Sequence, residues 1–433
     1  MTSKKHTPSL KKDMVAYSEP YFAYQPSPFY NQSHFEFRDK VRNFIDKELI
    51  PHVDKWDESE TFPVSLHQKA LRFVFYENGV YCPQFETKYG GQRPPKWDYF
   101  HFLIFHDELA RTACGGLVAS LFLALQIGAS PLMMFGSEYL KDKIGRDILS
   151  GKKLIALAVS EPSGGSDVSR IKTTAVVDPS DPDYFIVNGE KYFITNGMRA
   201  DYFTTAVRTG STKKQEKESS GALQQELSML LIPKAVEGVF CQQLKTQGWW
   251  CSSTAHVVLR NVRVHKKFLI GELNKGWEYI MKNFNHERFA MSVESNRYAR
   301  VCLEESIKYA KERHTFGKPL INHQVIRHKL SEMIRVIEST HALLEQIAYL
   351  SNQQPGVVDE KHLAGLVALG KVQSTKTMEF CAREAAQIFG GRGFMRTGRA
   401  GKVERIYREV RVNAIGGGSE EILLNLAANQ AKF

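Results

Sequence analysis

The stretch Val159-Ser160-Glu161-Pro162-Ser163-Gly164-Gly165-Ser166-Asp167 stands at the start of a zone whose residue pattern differs from that of the chain on either side. Glycines and small hydroxyl residues allow backbone and hydroxyl groups to come close to a flat polar ligand. The stretch lacks the Gly-x-Gly-x-x-Gly spacing and the β-α-β surroundings of a Rossmann dinucleotide site. Taken alone, it is also typical of a solvent-exposed loop, so its assignment depends on the rest of the chain.

The zone from 151 to 270 predicts β-structure. Runs of β-branched and aromatic residues, such as Tyr184–Val187 and Met229–Ile232, alternate with turns. Asn188-Gly189 separates two such runs and predicts a hairpin. The polar, lysine-rich residues 210–225 predict an exposed loop between strands.

The zones on either side predict helices. Residues 35–150 carry apolar residues at helical spacing, and Trp277–Phe316 and Ile321–Gln354 contain neither Gly nor Pro. The apolar stripe of the second run matches a long bundle helix. The sequence therefore predicts an α+β chain with an N-terminal extension (1–34), an α-helical domain (35–150), a middle antiparallel β-barrel or sandwich domain (151–270) and a C-terminal four-helix bundle (271–433).

Composition limits the class of protein further. The 433 residues are 42% hydrophobic, which excludes a disordered chain, and the six cysteines lack zinc-ligand spacing, so we expect no metal. No run approaches 18 consecutive apolar residues, so no integral membrane segment is expected. We expect an intracellular soluble protein of the mitochondrial matrix, the peroxisome or the bacterial cytoplasm. The net charge of +11 is diffuse, which favours a solvated surface over a nucleic-acid site.

Four further segments could contribute to a ligand site, although each has a plain structural reading as a turn, a helix corner or a helix stop. Arg313 in the second segment could hold a pyrophosphate, because guanidinium matches phosphate oxygens. Glycines before a helix start expose N–H groups at a positive dipole end, which suits an oxyanion. In chain order the segments are Tyr192–Gly197, Arg313–Leu320, Gln387–Phe394 and Ala414–Ile422.

The order of these segments and the helix–β–helix layout resemble the acyl-CoA dehydrogenase family from about residue 35 to 430. This resemblance implies FAD as cofactor. The residues implied to flank the isoalloxazine and ribityl chain are Ser160, Ser166, Phe193 and Thr195. Those implied on the pyrophosphate and adenine side are Arg313, Thr315, Phe316 and Gln324, with Gln387, Gly390 and Gly391 from a second subunit, and Ser419 and Glu421 near the adenosine. A site shared in this way implies a homodimer or homotetramer.

The family reaction needs a carboxylate base, and many members carry it where this chain has Gly417. The resemblance then narrows to the branch of the isovaleryl-CoA and long-chain acyl-CoA dehydrogenases, which carry a Glu-Arg pair on an earlier helix. Here that pair is Glu287-Arg288, and the residues at i+3 and i+4 from Glu287 are Ala290 and Met291, which offer it no ion pair. Glu287 is therefore predicted as the base, with the Gly417 N–H on the thioester oxygen. Ser166 and Arg288 are predicted to contact substrate.

By this resemblance the protein converts an acyl-CoA to the trans-2-enoyl-CoA in fatty-acid or branched-chain acid breakdown. The β-hydride goes to flavin N5, and an electron-transfer flavoprotein is the implied electron acceptor. Two alternatives stay open: an oxygen-using oxidase of the same fold, and a DNA-associated flavoprotein without dehydrogenase activity. The acidic start of the C-terminal helix at Glu420 disfavours the second alternative. Gly416 and Gly417 suggest space for a bulky or branched acyl chain.

Overall fold

The computed structural model describes residues 14–73, 87–89, 97–210, 223, 226–354 and 356–431. The helices before the sheet are α1 (Gln32–Glu48), α2 (Val53–Glu58), α3 (Val64–Leu71), α4 (Tyr99–Ala110), α5 (Gly115–Phe135) and α6 (Glu138–Leu140, the π-helical turn Lys141–Gly145, and Arg146–Leu149). The strands are β1 (Ile155–Ala158), β2 (Thr174–Val177), β3 (Tyr184–Ile194), β4 (Tyr202–Arg208), β5 (Leu227–Pro233), β6 (Val239–Gln243), β7 (Ala255–His265), β8 (Leu269–Ile270), β9 (His314–Thr315) and β10 (Lys318–Pro319). The later helices are α7 (Gly276–Glu312), α8 (Gln324–Ser351), α9 (Glu360–Phe389), α10 (Gly401–Ile415) and α11 (Glu420–Ala431).

The helix–sheet–helix layout confirms the predicted fold class. The two runs without Gly or Pro form α7 and α8, and Leu330, Met333 and Ile337 of the predicted apolar stripe are buried in the helical core. The described part of the C-terminal zone has five helices where four were predicted. The additional helix is α10, whose buried Val403, Ile406 and Val410 repeat at helical spacing.

The sheet is mostly antiparallel, but two of its pairings are parallel. Seven strands follow the order β6-β7-β3-β2-β4-β5-β8, and β1 pairs with β4. β1 and β2 both run parallel to β4, which the prediction of a wholly antiparallel domain did not anticipate. One face of the sheet carries an apolar core that includes Phe185, Phe203 and Leu230.

The hairpin predicted at Asn188-Gly189 is wrong, because both residues lie inside the continuous strand β3. β3 pairs with β7 on both sides of this point, with a register shift between Val187 and Gly189. Such a bulge also favours glycine: a Cβ on Gly189 would lie 2.6 Å from the Thr173 Cα. The predicted loop 210–225 lies almost entirely outside the described residues.

The helix α5 passes a length and composition test for a membrane span, among the described residues. Its most apolar 18-residue window is 89% buried inside the protein. Buried core helices pass the same test, and Leu121, Phe122 and Leu125 of this helix are each at most 2% exposed.

The chain divides into two compact units that we describe separately. The first unit comprises Met1–Lys55, Lys96–Gly115 and Arg288–Phe433, and the second comprises Trp56–Pro95 and Gly116–Glu287. Each unit combines segments that are distant in sequence. The domain boundaries predicted at 35, 151 and 271 stay a prediction.

The described residues directly before α1, which begin at residue 14, contact buried side chains of the first unit. Arg300 Nη1 donates to the Tyr17 carbonyl at 2.9 Å, and Arg297 Nη1 donates to the Ser18 carbonyl at 3.1 Å. Both arginines are at most 2% exposed. Arg297 and Arg42 also pair with Glu19, whose pKa is lowered to about 2: burial opposes this shift, and the two guanidinium groups outweigh it. The segment thus supplies hydrogen-bond acceptors for buried cations.

Acid sensitivity is expected from His67 in α3 of the second unit. Burial, with a smaller effect of the Arg199 charge, lowers the pKa of His67 to about 3. Below pH 6.5 the His67 side chain therefore binds a proton in the unfolded chain but not in the folded protein. The free energy of unfolding is at its full value above that pH and decreases as the pH falls. At pH 5 the loss is about 2 kcal/mol.

The measurement is chemical denaturation at pH 7.5 and pH 5.0 for the wild type and for His67→Leu. The variant should lose about 2 kcal/mol less stability between the two pH values. Replacement of the exposed His328 by Leu serves as the control and should leave the wild-type difference unchanged. An equal pH dependence in wild type and His67→Leu would contradict the assignment.

Candidate active site

The loop Ser160–Asp167 follows β1 in the second unit and is held as a tight turn. The Glu161 N–H donates to the Gly164 carbonyl at 2.9 Å, and the Gly164 N–H donates back at 3.1 Å. The Tyr192 N–H donates to the Ser160 carbonyl at 2.8 Å, which attaches the loop to β3. Ser160 is half-buried and Ser166 is exposed, so both hydroxyl groups border accessible space.

A buried ion pair lies behind this loop. Lys191 of β3 is fully buried, and its Nζ donates to Glu161 Oε1 at 2.8 Å and to the Val159 carbonyl at 3.1 Å. Glu161 also accepts the backbone N–H of Thr173 at 2.9 Å. Burial lowers the pKa of Lys191 to about 8, although Glu161 opposes the shift. Burial alone would raise the pKa of Glu161, but Lys191 and the N–H donors hold it below its usual value.

Phe193 and Thr195 lie where β3 leaves regular geometry. Phe193 has a φ of +61° at a register shift between Lys191 and Ile194, and its side chain is 65% exposed. A left-handed conformation is costly for a bulky residue and is often found at functional sites. Thr195 is half-buried beside Phe193. Asn196, the next residue, donates through Nδ2 to the Ser120 carbonyl at 2.8 Å and so anchors this strand end on α5.

An exposed aromatic residue and accessible hydroxyl residues in the same unit suit a planar ring with polar edges, such as that of a flavin. Ser160 and Thr195 can each donate and accept a hydrogen bond, which matches the mixed donors and acceptors of such a ring. The residues of the second unit therefore fit the cofactor implied by the sequence.

In the first unit, the segment Arg313–Leu320 forms a β-hairpin rather than a simple helix corner. Strands β9 and β10 pair through Thr315 and Lys318, and the Leu320 N–H donates to the Arg313 carbonyl at 2.6 Å. Phe316 at the hairpin tip has a φ of +50° and is 96% exposed. Arg313, as well as Gln324 at the start of α8, is exposed.

Gln387, Gly390 and Gly391 lie on a separate element of the first unit, at the end of α9. All three are exposed, and a Cβ added to either glycine would meet no atom within 4 Å. The backbone here is open to a large ligand. Phe394, just beyond these glycines, is 93% exposed.

The segment Gly416–Ser419 joins α10 to α11 in the first unit. Gly417 has a φ of +68° and Gly418 a φ of +115°, which favour glycine. The Ser419 carbonyl accepts the Leu423 N–H at 3.0 Å and begins α11. The backbone N–H of Glu421, and to a smaller extent the Ser419 hydroxyl, lower the pKa of the Glu421 carboxyl.

Two buried cations contact this glycine segment. Arg288 is 8% exposed and its Nε donates to the Gly417 carbonyl at 2.9 Å, so the structure gives this residue a contact with the segment. Lys371 of α9 is fully buried, and its Nζ donates to the Ala414 carbonyl at 2.8 Å and to the Gly418 carbonyl at 3.0 Å.

Glu287, the predicted base, lies on α7 at the end of the second unit. Its side chain is buried at 9% exposure. Burial lowers the pKa of the neighbouring His286 to about 4. The imidazole is therefore neutral near pH 7.

Sequence reasoning did not single out Lys191 or Lys371, although both have a detectable pattern. Phe185, Val187 and Lys191 share one face of β3, so strand alternation places a lysine on the buried face. Lys371 falls within a buried stripe of α9 that includes Ala368 and Thr375. Because lysines are rarely buried unless their ammonium group is paired, a lysine on an otherwise buried face indicates a specific hydrogen-bond or ion-pair partner.

One group of potential metal ligands occurs among the described residues of the first unit: His34, Asp98 and His101. The Asn31 N–H donates to His34 Nδ1 at 3.0 Å, so the ring proton lies on Nε2, which donates to Asp98 Oδ1 at 2.9 Å. A protonated nitrogen has no lone pair for a metal. Asp98 also accepts the Phe100 and His101 N–H groups, so these residues cap helices α1 and α4.

The helix–sheet–helix fold and these residues fit the class of flavin-dependent oxidoreductases. Three family models match: acyl-CoA dehydrogenase N-terminal domain (residues 31–152), middle domain (156–262) and C-terminal domain (274–432). The chain belongs to the acyl-CoA dehydrogenase family, whose members catalyse flavin-dependent acyl-CoA dehydrogenation.

Individual relatives agree with this assignment. The chain is 35% identical over 426 residues to "Acyl-CoA dehydrogenase apdG" of Emericella nidulans, covering 96% of this chain and 95% of that protein. A crystal structure of a putative acyl-CoA dehydrogenase from Mycobacterium smegmatis has a TM-score of 0.82 and 31% identity, and the match covers 94% of this chain and 100% of that one. An acyl-CoA dehydrogenase from Bacillus anthracis, solved in complex with FAD, has a TM-score of 0.80 and 25% identity over 97% of this chain and 69% of that one.

Proposed function

We propose that this protein catalyses the FAD-dependent α,β-dehydrogenation of an acyl-CoA thioester to the trans-2-enoyl-CoA, with Glu287 as the base. The observation that carries this proposal is the burial of the Glu287 carboxylate on α7 in a chain that has Gly417 at the other base position of the family. A carboxylate in a dry environment is a stronger base than one in water, because desolvation disfavours its charged form.

The proton and the electrons follow separate routes. Glu287 accepts the proton from the α-carbon, and the electron pair of that C–H bond forms the new double bond. FAD, held by Ser160, Ser166, Phe193 and Thr195, would supply the acceptor for the β-hydrogen, which leaves the substrate as hydride. The Gly417 N–H donates to the thioester oxygen, where negative charge develops as the α-proton leaves. Preorganised donors at such a position typically provide a large part of the rate enhancement. Ser166 and Arg288 complete the proposed substrate contacts.

The proposed cofactor residues fall into two groups. Ser160, Ser166, Phe193 and Thr195 hold the isoalloxazine and ribityl parts, which need hydroxyl groups and an aromatic face. The remaining residues hold the pyrophosphate and adenosine parts: Arg313, Thr315, Phe316, Gln324, Gln387, Gly390, Gly391, Ser419 and Glu421. The open backbone at Gly390 and Gly391 supports contact with a cofactor bound to a second copy, and hence a homodimer or homotetramer.

The space expected beside Gly416 for a bulky or branched acyl chain is limited by neighbouring residues. A Cβ on Gly416 would lie 3.1 Å from both Met291 Cε and the Val412 carbonyl oxygen, so the expected free space beside Gly416 is already filled. Of the two glycines on which the expected bulky or branched chain was based, only Gly417 still supports it. Acyl-CoA substrates of different length and branching are therefore compared by experiment.

The test is an anaerobic titration of the purified holoprotein with isovaleryl-, octanoyl- and palmitoyl-CoA while flavin absorbance is recorded. We expect at least one thioester to remove the oxidised flavin absorbance, with one equivalent of enoyl-CoA formed per flavin. No loss of absorbance with any thioester would refute the proposal. Peroxide formed stoichiometrically under air would identify an oxidase, and salt-dependent retardation of DNA would favour the DNA-associated alternative.

A further inference from the structure

The fully buried Lys371 connects three elements of the first unit. It lies on α9, and its ammonium group donates to the carbonyl of Ala414 in the last turn of α10 and to that of Gly418 before α11. Carbonyls at a helix C-terminus lack intrahelical donors. The ammonium group therefore satisfies one such carbonyl and, with a second hydrogen bond, attaches the glycine segment to it.

The glycine segment depends on outside contacts for a defined conformation. Three consecutive glycines have much backbone freedom, and Gly417 and Gly418 both adopt positive φ angles. Arg288 fixes the Gly417 carbonyl and Lys371 fixes the Gly418 carbonyl, at 2.9 Å and 3.0 Å. These carbonyls belong to consecutive peptide planes, so holding both restricts the φ and ψ angles of Gly418. The Gly416 N–H donates to the Val412 carbonyl at 2.8 Å, so the peptide plane that carries the Gly417 N–H lies between held planes.

The charge of Lys371 also affects the electrostatic field at the C-terminal end of α10. The C-terminal end of α10 carries the negative end of the helix dipole, which disfavours a nearby anion. A buried ammonium group in contact with the Ala414 carbonyl offsets that field. The segment that follows can then present its N–H groups to developing negative charge without this penalty.

We propose that Lys371 is a positioning residue that orients the Gly416–Gly418 segment, and with it the Gly417 N–H, for the thioester oxygen. This inference rests on the proposed function. Lys371 contacts only the protein in this role, so its removal affects turnover more than substrate affinity.

The test compares Lys371→Met with Lys376→Met. Both lysines lie on α9, but Lys376 is exposed and pairs with Glu420 at 3.2 Å, so the second variant makes the same change without touching the two carbonyls. Two kinds of measurement are made on the holoproteins: steady-state kcat and KM with the best acyl-CoA, and amide hydrogen exchange over residues 415–418, which exclude the partner of Lys376.

For Lys371→Met we expect kcat to fall about 10- to 100-fold, KM to change less than threefold, and exchange over residues 415–418 to become about tenfold faster. Lys376→Met should match the wild type in kcat, in KM and in exchange over residues 415–418. Unchanged exchange, or a kcat within twofold of the wild type despite faster exchange, would overturn the proposal. Lys371→Arg keeps the cation and should show at least a third of the wild-type kcat. If Lys371→Met does not fold, Lys371→Arg is measured in its place. A kcat below a third of the wild-type value for Lys371→Arg would then count against the proposal.

Failure of the proposed function would be separately visible. If the wild type reduces no flavin with any acyl-CoA, the catalytic role is refuted at that step. The exchange comparison still decides whether Lys371 holds the glycine segment.

Discussion

Replacement of Glu287 by Gln is expected to reduce the rate of flavin reduction by acyl-CoA about 10²- to 10⁴-fold. The amide has nearly the shape of the carboxylate but cannot accept the α-proton. Because the side chain is buried, Gln should keep the packing of α7, so flavin content and acyl-CoA affinity should stay within about threefold of the wild type. Rapid mixing of the oxidised protein with substrate under anaerobic conditions measures the rate directly.

Glu305→Gln is the matched control for this variant. Glu305 is also a buried carboxylate on α7, paired with Arg399 at 2.6 Å, and it lies about 27 Å farther along the helix at 1.5 Å per residue. Its replacement makes the same carboxylate-to-amide change in the same helix, but at a residue with no proposed role in the reaction. The rate of flavin reduction should therefore stay within about threefold of the wild type. A Glu287→Gln protein that reduces its flavin at more than a tenth of the wild-type rate would place the base elsewhere.

Replacement of Lys191 by Met is expected to destabilise the protein by about 3–5 kcal/mol, because it leaves the Glu161 carboxylate buried without its cation. The loop Ser160–Asp167 is attached to the sheet through this pair, so flavin content after purification should also fall. Urea denaturation followed by intrinsic fluorescence, together with the ratio of flavin to protein absorbance, provides both measurements.

Two further proteins make this second prediction specific. Lys153→Met removes a half-exposed lysine that pairs with Asp201 at 2.9 Å, and it should cost less than about 1 kcal/mol. The double variant Lys191→Met/Glu161→Gln removes both charges and should recover at least about 2 kcal/mol relative to Lys191→Met, since the isolated buried charge is gone. A cost for Lys191→Met no larger than that for Lys153→Met would show that the buried pair does not hold the loop.

Local pattern was enough to predict much of the fold. The absence of Gly and Pro over long runs anticipated α7 and α8, and the apolar stripe of α8 faces the core as its spacing indicates. The same reasoning failed at Asn188-Gly189, where a turn signal lies inside a strand. The competing influence is non-local: β7 pairs along both halves of β3, and the bulge places Gly189 against Thr173.

In the candidate site, too, local sequence pattern was informative and contacts between distant residues were not predicted. Residue pattern indicated the two glycine-rich segments, and the family resemblance indicated Glu287; these assignments stay predictions. The partners of Lys191 and Lys371 could not be read from the sequence, because Glu161 and Gly418 are 30 and 47 residues away and only the fold brings them within 3 Å. The role given to Arg288 shows the same limit, since its contact with Gly417 spans 129 residues.

The docking of the segment Tyr17–Glu19 on Arg297 and Arg300 has a consequence for synthesis on the ribosome. These contacts join residues separated by 278 to 283 positions, so the first unit cannot be completed until the start of its last segment has left the exit tunnel. The second unit, which ends at Glu287, is synthesised in full before that segment. Since domains generally fold as units during translation, the β-rich unit has the opportunity to fold first. Until Arg297 is synthesised, the carboxylate of Glu19 lacks this partner, and the apolar surface of the unfinished first unit stays exposed to aggregation.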